Sequence, residues 1–389
     1  MVNLDGHGGA QAGFMPLQGR PRMGARCPLE RFDHRTDVFS KEPIMPSRVP
    51  PVDTQAGEAA RVRQQQLTKP PGSLGRLEEL ACWFAARLGA VVPPQPRCDI
   101  FVFAADHGVA TRGVSAFPQA VTKEMVGNFA RGGAAINVLA SLEGCQIEVV
   151  DVGVASNDTP PAGVHNERVR AGSRDLSTTA AMTADELRAA LAVGEKCARL
   201  AIERGARLLI AGDMGIANTT SAACLICALT GATPESVVGR GTGVDDAGLK
   251  RKHDVVALAL DRIAKAGVKE PADVLAELGG LEIAAIAGFY LEAARRGVPV
   301  LLDGYISTSA ALAAVALEPR AVDWMLASHR SAELGHRIAL EWLKLEPLLD
   351  LGMRLGEGTG AALTLPIVRA ALALHAKMAT FAEAGVSEG

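Results

Sequence analysis

The chain has 389 residues, 48% of them hydrophobic, and its charges nearly balance at a formal net charge of −3. That balance argues against a nucleic-acid-binding protein, which needs a basic face, and an aromatic content of 4% argues against stacking platforms for bases. The N-terminus lacks a charged start followed by an apolar stretch, and the longest uncharged stretch, residues 214–234, is too polar to span a bilayer. We therefore expect a cytoplasmic protein that binds neither nucleic acid nor membranes.

The first 56 residues are rich in proline and glycine and show no hydrophobic period. This composition predicts a mostly disordered extension over residues 1–56. A mis-start of translation upstream of the true start, for example at Met45, is an alternative that the sequence leaves open. We expect the organised chain to begin near Gly57, with one helix over 57–68 and a second over 74–88 that Ser73 caps.

Short apolar runs, each followed closely by Asp and Gly, recur along the rest of the chain. They are residues 98–105, 146–150, 207–211 and 299–302, with 323–328 as a weaker fifth. Runs of this kind are typical of parallel strands buried on both faces, and the segments between them carry helical spacing and caps. The alternation predicts an α/β fold with a doubly wound, mostly parallel sheet.

Four acids fall where these strands end, which is the edge at which such sheets bind ligands. They are Asp106, Asp151, Asp213 and Asp303. Any one of them can serve structure alone, by capping a helix or tying a loop. As a group they predict an acidic rim around an active site.

Three loops rich in Gly and Thr follow the strands, at residues 212–221, 239–246 and 304–309. Each combines close backbone approach, hydroxyl donors and a helix start, which are the features that bind phosphate. None has the spacing of a P-loop or of a dinucleotide fingerprint. Together the loops favour a phosphorylated ligand over plain turns.

A fourth loop places one carboxylate, Glu357, between Gly356 and Gly358 in an otherwise uncharged stretch. A carboxylate in apolar surroundings has a raised pKa, which suits a general base working near neutral pH. The alternative is an ordinary solvated turn residue. We expect Thr359 to cap the helix that starts near Ala361.

Candidate metal ligands are few. Cys224 and Cys227 form a CxxC inside an apolar run, which favours a core helix over a metal or redox site, and the scattered cysteines are typical of reduced thiols. His107, His329 and His336 lack a third ligand at metal spacing, so we expect hydrogen-bonded or surface histidines and no metal.

Taken together, seven segments carry a resemblance to a known family. They are residues 68–78, 105–109, 212–220, 239–246, 303–305, 328–331 and 355–360. In their order and their residues they resemble the nicotinate-nucleotide–dimethylbenzimidazole phosphoribosyltransferases of cobalamin biosynthesis, over about residues 57–380. The first 50 or so residues have no counterpart there. Ala217 stands where a glycine is common, and Asp213 stands where some members carry Glu.

The resemblance implies a reaction and an architecture. Nicotinate mononucleotide and 5,6-dimethylbenzimidazole give α-ribazole 5′-phosphate and nicotinate, on a homodimer with no metal or organic cofactor. A small helical domain built from both chain ends is implied beside the α/β domain. We expect residues 57–96 to form its helical part, 97–350 the parallel α/β domain, and 351–389 the catalytic loop and a helix that returns to the small domain.

The resemblance places Glu357 as the base, and the roles of the other residues are a mechanistic hypothesis. Glu357 accepts a proton from the benzimidazole, Asp213 stabilises positive charge on the ribose, and the loops at 241–243 and 307–309 hold the phosphate. Phe117 and Met214 are expected in an apolar slot for the base. The residues expected to bind substrate are Asp106, Ser115, Phe117, Gln119, Met214, Gly215, Asn218, Thr219, Thr220, Gly241, Thr242, Gly243, Asp303, Ser307, Thr308, Ser309 and Gly358.

Two other functions fit parts of the pattern. A non-catalytic sensor of a nucleotide or an azole base would keep the phosphate loops and would not need Glu357. An NAD-dependent dehydrogenase would carry GxGxxG after the first strand, where Asp106-His107-Gly108 stands instead.

Overall fold

Six parallel strands form a single sheet within residues 49–387, the part of the chain that the computed structural model describes. The strands are β1 (Cys98–Ala105), β2 (Gln146–Gly153), β3 (Val164–Asn166), β4 (Leu208–Met214), β5 (Val300–Leu302) and β6 (Met325–Ala327). Their order across the sheet is β3-β2-β1-β4-β5-β6. The chain winds outward from β1 in one direction and then returns to place β4 on the other side of β1. This is the predicted doubly wound topology, with its switch point between β1 and β4.

The five predicted strands are all present. The weak run at 323–328 is confirmed as β6. β3 was not predicted, because it has only three residues and none of them is buried, so no apolar run marks it.

Helices cover both faces of the sheet. Those in residues 49–387 are α1 (Thr54–Gln66), α2 (Arg76–Leu88), α3 (Ala120–Ala130), α4 (Ala135–Leu142), α5 (Ala184–Glu203), α6 (Asn218–Thr230), α7 (Pro234–Val237), α8 (Asp246–Lys265), α9 (Pro271–Leu278), α10 (Leu281–Arg295), α11 (Tyr305–Leu317), α12 (Leu334–Leu343), α13 (Thr359–Lys377) and α14 (Phe381–Ala384). Cys224 and Cys227 lie buried in α6, which confirms the predicted core helix.

The two faces of β1 enter two separate parts of the core. Phe101 and Phe103 pack against Phe289 of α10 on one face. On the other face, Ile100 and Val102 belong to an apolar cluster that includes residues of α2 and α13. All eight residues of β1 are therefore buried, which explains why its sequence shows a continuous apolar run rather than an alternation.

Residues 49–56 belong to the folded structure, which the sequence did not predict. Val49 is buried, Pro50 accepts a hydrogen bond from the indole of Trp324 at 3.2 Å, and α1 begins at Thr54 behind its cap Asp53. The expected disorder of 1–56 is thus wrong for residues 49–56. Residues 1–48, including Met45, lie outside the described residues.

Helices from the two ends of the chain pack together. Arg63 of α1 donates to the carbonyl of His375 at 2.9 Å, and Gln64 bonds the ring of the same histidine at 2.8 Å. α2 packs along α13, and their apolar side chains merge with the core beneath the sheet. The cap that we predicted for α2 is wrong, because its N-cap is Gly75 and not Ser73.

One helix within residues 49–387, α13, is long and apolar enough to cross a membrane by length and composition alone. More than half of that stretch is buried in the protein, where α13 packs against α2, α4 and β4. Its apolar character is accounted for by these core contacts.

Candidate active site

A cavity of about 330 Å³ opens at the carboxyl edge of the sheet. The end of β4, the first turns of α6 and α11, and the loop before α13 form most of its wall. It brings together many of the predicted residues, which are Phe117, Asp213, Met214, Gly215, Asn218, Thr219, Gly241, Thr242 and Glu357. A second cavity of about 360 Å³ adjoins it, and Glu333 and Arg354 line both.

Glu357 lies in this wall on a strained piece of backbone. Its φ is +63°, in the left-handed region, between Gly356 at +86° and Gly358 at +90°. The side chain is only 4% exposed, and Oε2 has no hydrogen-bond partner among the described residues. Burial raises the pKa of this carboxyl to about 7; a bond from the Ile136 N–H opposes the rise and the charge of Asp303 adds to it. The group can therefore exchange a proton near neutral pH.

Asp303 holds the Glu357 loop from behind. Its carboxylate accepts hydrogen bonds from the N–H of Gly358 at 3.1 Å and of Ala361 at 3.0 Å. These are free donors at the start of α13, so Asp303 caps the helix from another strand. The predicted cap, Thr359, is wrong, because Gly358 is the N-cap and the Thr359 hydroxyl donates back to Gly356 O. Asp303 itself does not line the cavity.

A glycine in β4 lets the same loop approach the sheet. A Cβ added to Gly212 would collide with the carbonyl group of Glu357 and the nitrogen of Gly358. Only glycine leaves room for this backbone-to-backbone contact. The Glu357 loop is thus pressed against the strand that carries Asp213.

Asp213 is the second carboxyl in the cavity and is also buried, at 6% exposure. It accepts a hydrogen bond from the side-chain amide of Asn218 at 3.0 Å. Burial raises its pKa well above the usual range, and the nearby charges of Asp303 and Glu282 raise the pKa further. A positive charge bound beside this carboxyl would oppose that rise and favour its ionised form.

Two cations lie at the polar corner of the cavity, Arg354 in its wall and Lys252 buried behind the lining residue Thr219, and neither was predicted from the sequence. The buried ammonium of Lys252 donates to Thr219 Oγ1 at 2.7 Å and to Gly239 O at 3.2 Å, and burial lowers its pKa to about 8. Arg354 donates to Gly241 O at 2.6 Å. Lys252 lies in a charged stretch of α8 that gives no sequence signal. Arg354, three residues before Glu357, could have been found from that proximity.

The comparisons with known proteins agree on one family. A family model described as "Phosphoribosyltransferase" matches residues 49–386. A nicotinate-nucleotide–dimethylbenzimidazole phosphoribosyltransferase from Chromobacterium violaceum is 61% identical, over 87% of this chain and 97% of the relative. One from Pseudomonas aeruginosa is 51% identical, over 86% and 95%. The crystal structure of CobT from Thermus thermophilus superposes with a TM-score of 0.83 at 51% identity, covering 86% of this chain and all of that one.

This chain belongs to the nicotinate-nucleotide–dimethylbenzimidazole phosphoribosyltransferase family.

The family confirms the resemblance inferred from the sequence and excludes the dehydrogenase alternative. The apolar wall of the cavity suits the aromatic base that such a transferase takes up. That wall is formed by Phe117, Met125, Met214 and Leu355. Met125 was not predicted, because in sequence it is one apolar residue of α3 among several.

In this phosphoribosyltransferase, three predicted phosphate contacts do not reach the cavity. Ser307, Thr308 and Ser309 are fully buried within α11. Ser307 Oγ accepts from Asp303 N at 3.0 Å and bonds Tyr290, Thr308 bonds His336 at 2.9 Å, and Ser309 donates to Ile306 O at 2.7 Å. Their hydroxyls are used inside the protein. The cavity is lined instead by Gly304, Tyr305 and Ile306, at the start of the helix.

Other predicted contacts also serve the structure. Asp106 is buried and accepts from Ala155 N at 2.7 Å, and Gln119 donates to His107 O at 3.3 Å. Ser115 is half-buried beside the cavity and bonds Thr242 at 3.2 Å. Thr220, Gly243 and Gly358 do not line the main cavity, although Gly243 lines the second one.

Ala217 occupies the position where the family resemblance leads us to expect glycine. It is the N-cap of α6 and has a φ of +76°, in the left-handed region. An alanine there is strained by about 1 kcal/mol, because its Cβ crowds the backbone.

His107, His329 and His336 are buried and hydrogen-bonded, so the first of the two expected alternatives holds for them. His329 lines the cavity, and His336 bonds Thr308 while burial lowers its pKa to about 3. No cluster of three or more His, Cys, Asp or Glu suited to a metal ion occurs in residues 49–387.

Proposed function

We propose that this chain transfers the ribose 5′-phosphate of nicotinate mononucleotide to 5,6-dimethylbenzimidazole. The products are α-ribazole 5′-phosphate and nicotinate, in the assembly of the nucleotide loop of cobalamin. The observation that carries the proposal is Glu357, a buried carboxyl with a pKa of about 7 and one oxygen without a hydrogen-bond partner in residues 49–387. A sensor that only binds ligands has no use for such a group, because an unpaired buried carboxyl costs stability.

Glu357 acts on the acceptor. The unprotonated ring nitrogen of the benzimidazole attacks C1′ of the ribose, and the bond from C1′ to the nicotinate nitrogen breaks. Positive charge grows on the attacking ring, so its other N–H becomes acidic and passes its proton to Glu357 Oε2. Nicotinate departs with the electron pair of the broken bond, which neutralises its ring. A base with a pKa near 7 suits this transfer, because the proton becomes acidic only as the new bond forms.

The acceptor ring fits the apolar wall. Phe117, Met214 and Leu355 offer aromatic and flexible aliphatic surface beside Glu357, and Met125 extends it. Apolar contact with the two methyl groups of the base favours binding by removing them from water. Because Glu357 is the only carboxyl that we assign to the acceptor, it also fixes the orientation of the ring.

The donor lies with its phosphate at the polar corner. Lys252 and Arg354 supply positive charge, and the first turns of α6 and α11 supply free N–H groups and favourable dipoles. Asp213 then lies toward the ribose. The cationic pyridinium of the donor favours the ionised form of Asp213, which in turn stabilises the charge that develops at C1′.

The family resemblance further supports a cytoplasmic homodimer. Leu355 in the wall of the main cavity and Leu334 in that of the second are exposed, and such side chains are suited to burial against a second copy. Sedimentation equilibrium of the full chain tests this part, and a monomer at micromolar concentration would refute it.

Product analysis tests the activity itself. The protein is incubated with nicotinate mononucleotide and dimethylbenzimidazole, and nicotinate and α-ribazole 5′-phosphate are separated by chromatography. We expect both products in equal amounts and no nicotinate release without the base. Binding of both ligands without any product would favour the sensor instead.

A further inference from the structure

His329 lies in the cavity wall, and the reaction described above gives it no task. It follows β6, and only 3% of the residue is exposed. The one hydrogen bond that its ring makes within residues 49–387 joins Nδ1 to Ser328 Oγ at 3.2 Å. The other ring nitrogen, Nε2, has no partner in that part of the chain. Because buried polar atoms are nearly always bonded, an unbonded nitrogen in a cavity wall points to a ligand.

Ser328 determines which nitrogen of the neutral His329 ring carries the hydrogen. Ser328 Oγ lies 2.5 Å from the carbonyl oxygen of Leu302, and two oxygens this close require a hydrogen between them. The Ser328 hydroxyl therefore donates to that carbonyl, and only its lone pairs remain for the ring. Nδ1 must then be the donor to Ser328, which leaves Nε2 as a bare acceptor.

Two glycines beside the ring show which of its edges faces the cavity. A Cβ added to Gly360 would collide with Nδ1 and Cε1, so the first turn of α13 covers that edge. A Cβ added to Gly304 would lie 3.5 Å from Cε1 and 3.6 Å from Nε2. Gly304 lines the cavity together with His329, whereas Gly360 does not. The bare nitrogen is thus on the cavity side of the ring.

A hydroxyl donor lies next to this acceptor. Ser331 also lines the cavity, and its Cβ is 3.8 Å from the position of the Cβ added to Gly304. Ser331 Oγ accepts from the N–H of Glu333 at 3.4 Å, which leaves its own hydrogen free to donate. The backbone N–H of Ser331 donates to His336 Nδ1 at 2.8 Å and holds this segment in place. One stretch of the wall therefore offers both an acceptor and a donor.

A ligand hydroxyl matches this pair, because it can donate to His329 Nε2 and accept from Ser331 at the same time. An ionised phosphate or carboxylate oxygen carries no hydrogen, so it would face the lone pair of Nε2 and be repelled. The proposed function places the donor's phosphate near Lys252 and Arg354 and the acceptor ring beside Glu357. The ribose of nicotinate mononucleotide joins these two regions, and it is the part of the donor that carries hydroxyls.

We propose that His329 Nε2 accepts a hydrogen bond from the 2′- or 3′-hydroxyl of the donor's ribose and thereby selects a ribonucleotide over its deoxy analogues. The proposal rests on the proposed function, since it takes nicotinate mononucleotide as the donor. His329 is a specificity-determining residue in this scheme and takes no part in proton transfer. Its contact holds the sugar against the first turn of α11, on the side of the cavity where Gly304 lies.

Calorimetry of donor binding without the acceptor base tests the proposal. The ligands are nicotinate mononucleotide and its 2′-deoxy and 3′-deoxy analogues. We expect at least one analogue to bind the parent roughly tenfold more weakly than the ribonucleotide, because one hydrogen bond to a buried group is lost. His329→Phe keeps the shape of the ring and removes both nitrogens. This variant should bind nicotinate mononucleotide roughly tenfold more weakly than the parent and should no longer distinguish it from that analogue.

A second histidine provides the matched control. His165 on β3 pairs with Glu148 and lines neither cavity, so His165→Phe should discriminate as the parent does. If His329→Phe fails to fold, Gly304→Ala gives the same test with the histidine and its bond to Ser328 intact. The added methyl group stands at ordinary contact distance from Nε2 and covers it, so discrimination against the deoxy analogue should again be lost.

Three outcomes would overturn the proposal. The first is equal binding of all three ligands by the parent, and the second is an undiminished penalty for the deoxy analogues in folded His329→Phe. The third concerns nicotinate riboside, which lacks the phosphate. If His329→Phe bound the riboside as tightly as the parent does, the ring would contact the phosphate instead. Failure of the proposed function is distinct, because the parent would then bind no nicotinate mononucleotide or would form no product with the base.

Discussion

The backbone N–H of Gly358 donates to the carboxylate of Asp303 at 3.1 Å, which fastens the residue after Glu357 to the end of β5. The sequence predicted Asp303 as part of an acidic rim. In the structure its carboxylate supports the loop that carries Glu357. Its charge also contributes to the raised pKa of Glu357, after burial. The position and the acidity of the proposed base therefore depend on the same side chain.

Asp303→Asn should lower both stability and activity, whereas Asp151→Asn should lower stability alone. Asp151 has a similar task at the end of β2, where it accepts from Val154 N at 2.8 Å and pairs with Arg168, away from the cavity. Each change weakens a charge-assisted hydrogen bond and should cost about 1.5–3 kcal/mol in urea unfolding. Only Asp303→Asn should also lower kcat. An equal loss of kcat in both variants would contradict the support role.

Lys252→Met should weaken donor binding. Losing one charged hydrogen-bond donor to the phosphate corresponds to about 1.5–3 kcal/mol, or a rise in KM for nicotinate mononucleotide of roughly 10- to 150-fold. KM for the benzimidazole should change little. Lys250→Met on the same helix is the control, because Lys250 is exposed and pairs with Asp254. An unchanged donor KM in Lys252→Met would remove that residue from the phosphate site.

Ala217→Gly should stabilise the protein. Glycine adopts the φ of +76° without strain, which should raise the free energy of unfolding by about 1 kcal/mol. Part of this gain is offset because glycine increases the conformational entropy of the unfolded chain. Chemical denaturation measures the change. Ala223→Gly, inside the same helix α6, is the contrasting variant and should destabilise. A loss of stability in Ala217→Gly would show that the strain is absent.

The sequence predicted the sheet well because its strands are buried on both faces and leave continuous apolar runs. It singled out Glu357 as a candidate base because two glycines and an uncharged stretch isolate that carboxylate, and that role stays a prediction. It failed where a side chain's partner lies far away in the chain. The hydroxyls at 307–309 look free in sequence, but Tyr290 and His336 occupy two of them. Lys252 contacts Thr219 in the cavity wall because α8 passes behind Gly239, an arrangement that no local pattern encodes.

Burial of Glu357 should cost stability at the pH where the enzyme works. The pKa is about 7 in the folded protein against 4.5 for an unperturbed glutamate, so the folded state holds this proton more tightly than the unfolded state. Stability contributed by the protonated form is therefore lost as pH rises from about 4.5 to about 7. Glu357→Gln should unfold at higher denaturant than the parent at alkaline pH, by on the order of 1–3 kcal/mol. The gain should vanish below the unperturbed pKa, and a gain independent of pH would contradict the shift.

The most direct test of the account is single-turnover kinetics of Glu357→Gln with both substrates at saturation. We expect both ligands to bind with nearly unchanged affinity and the rate of nicotinate release to fall on the order of 10²–10⁴-fold, the usual contribution of a general base. The parent's rate should rise with pH through about 7, the pKa of Glu357, and the residual rate of the variant should lack that step. A variant that turns over at nearly the parent's rate would show that another group takes the proton.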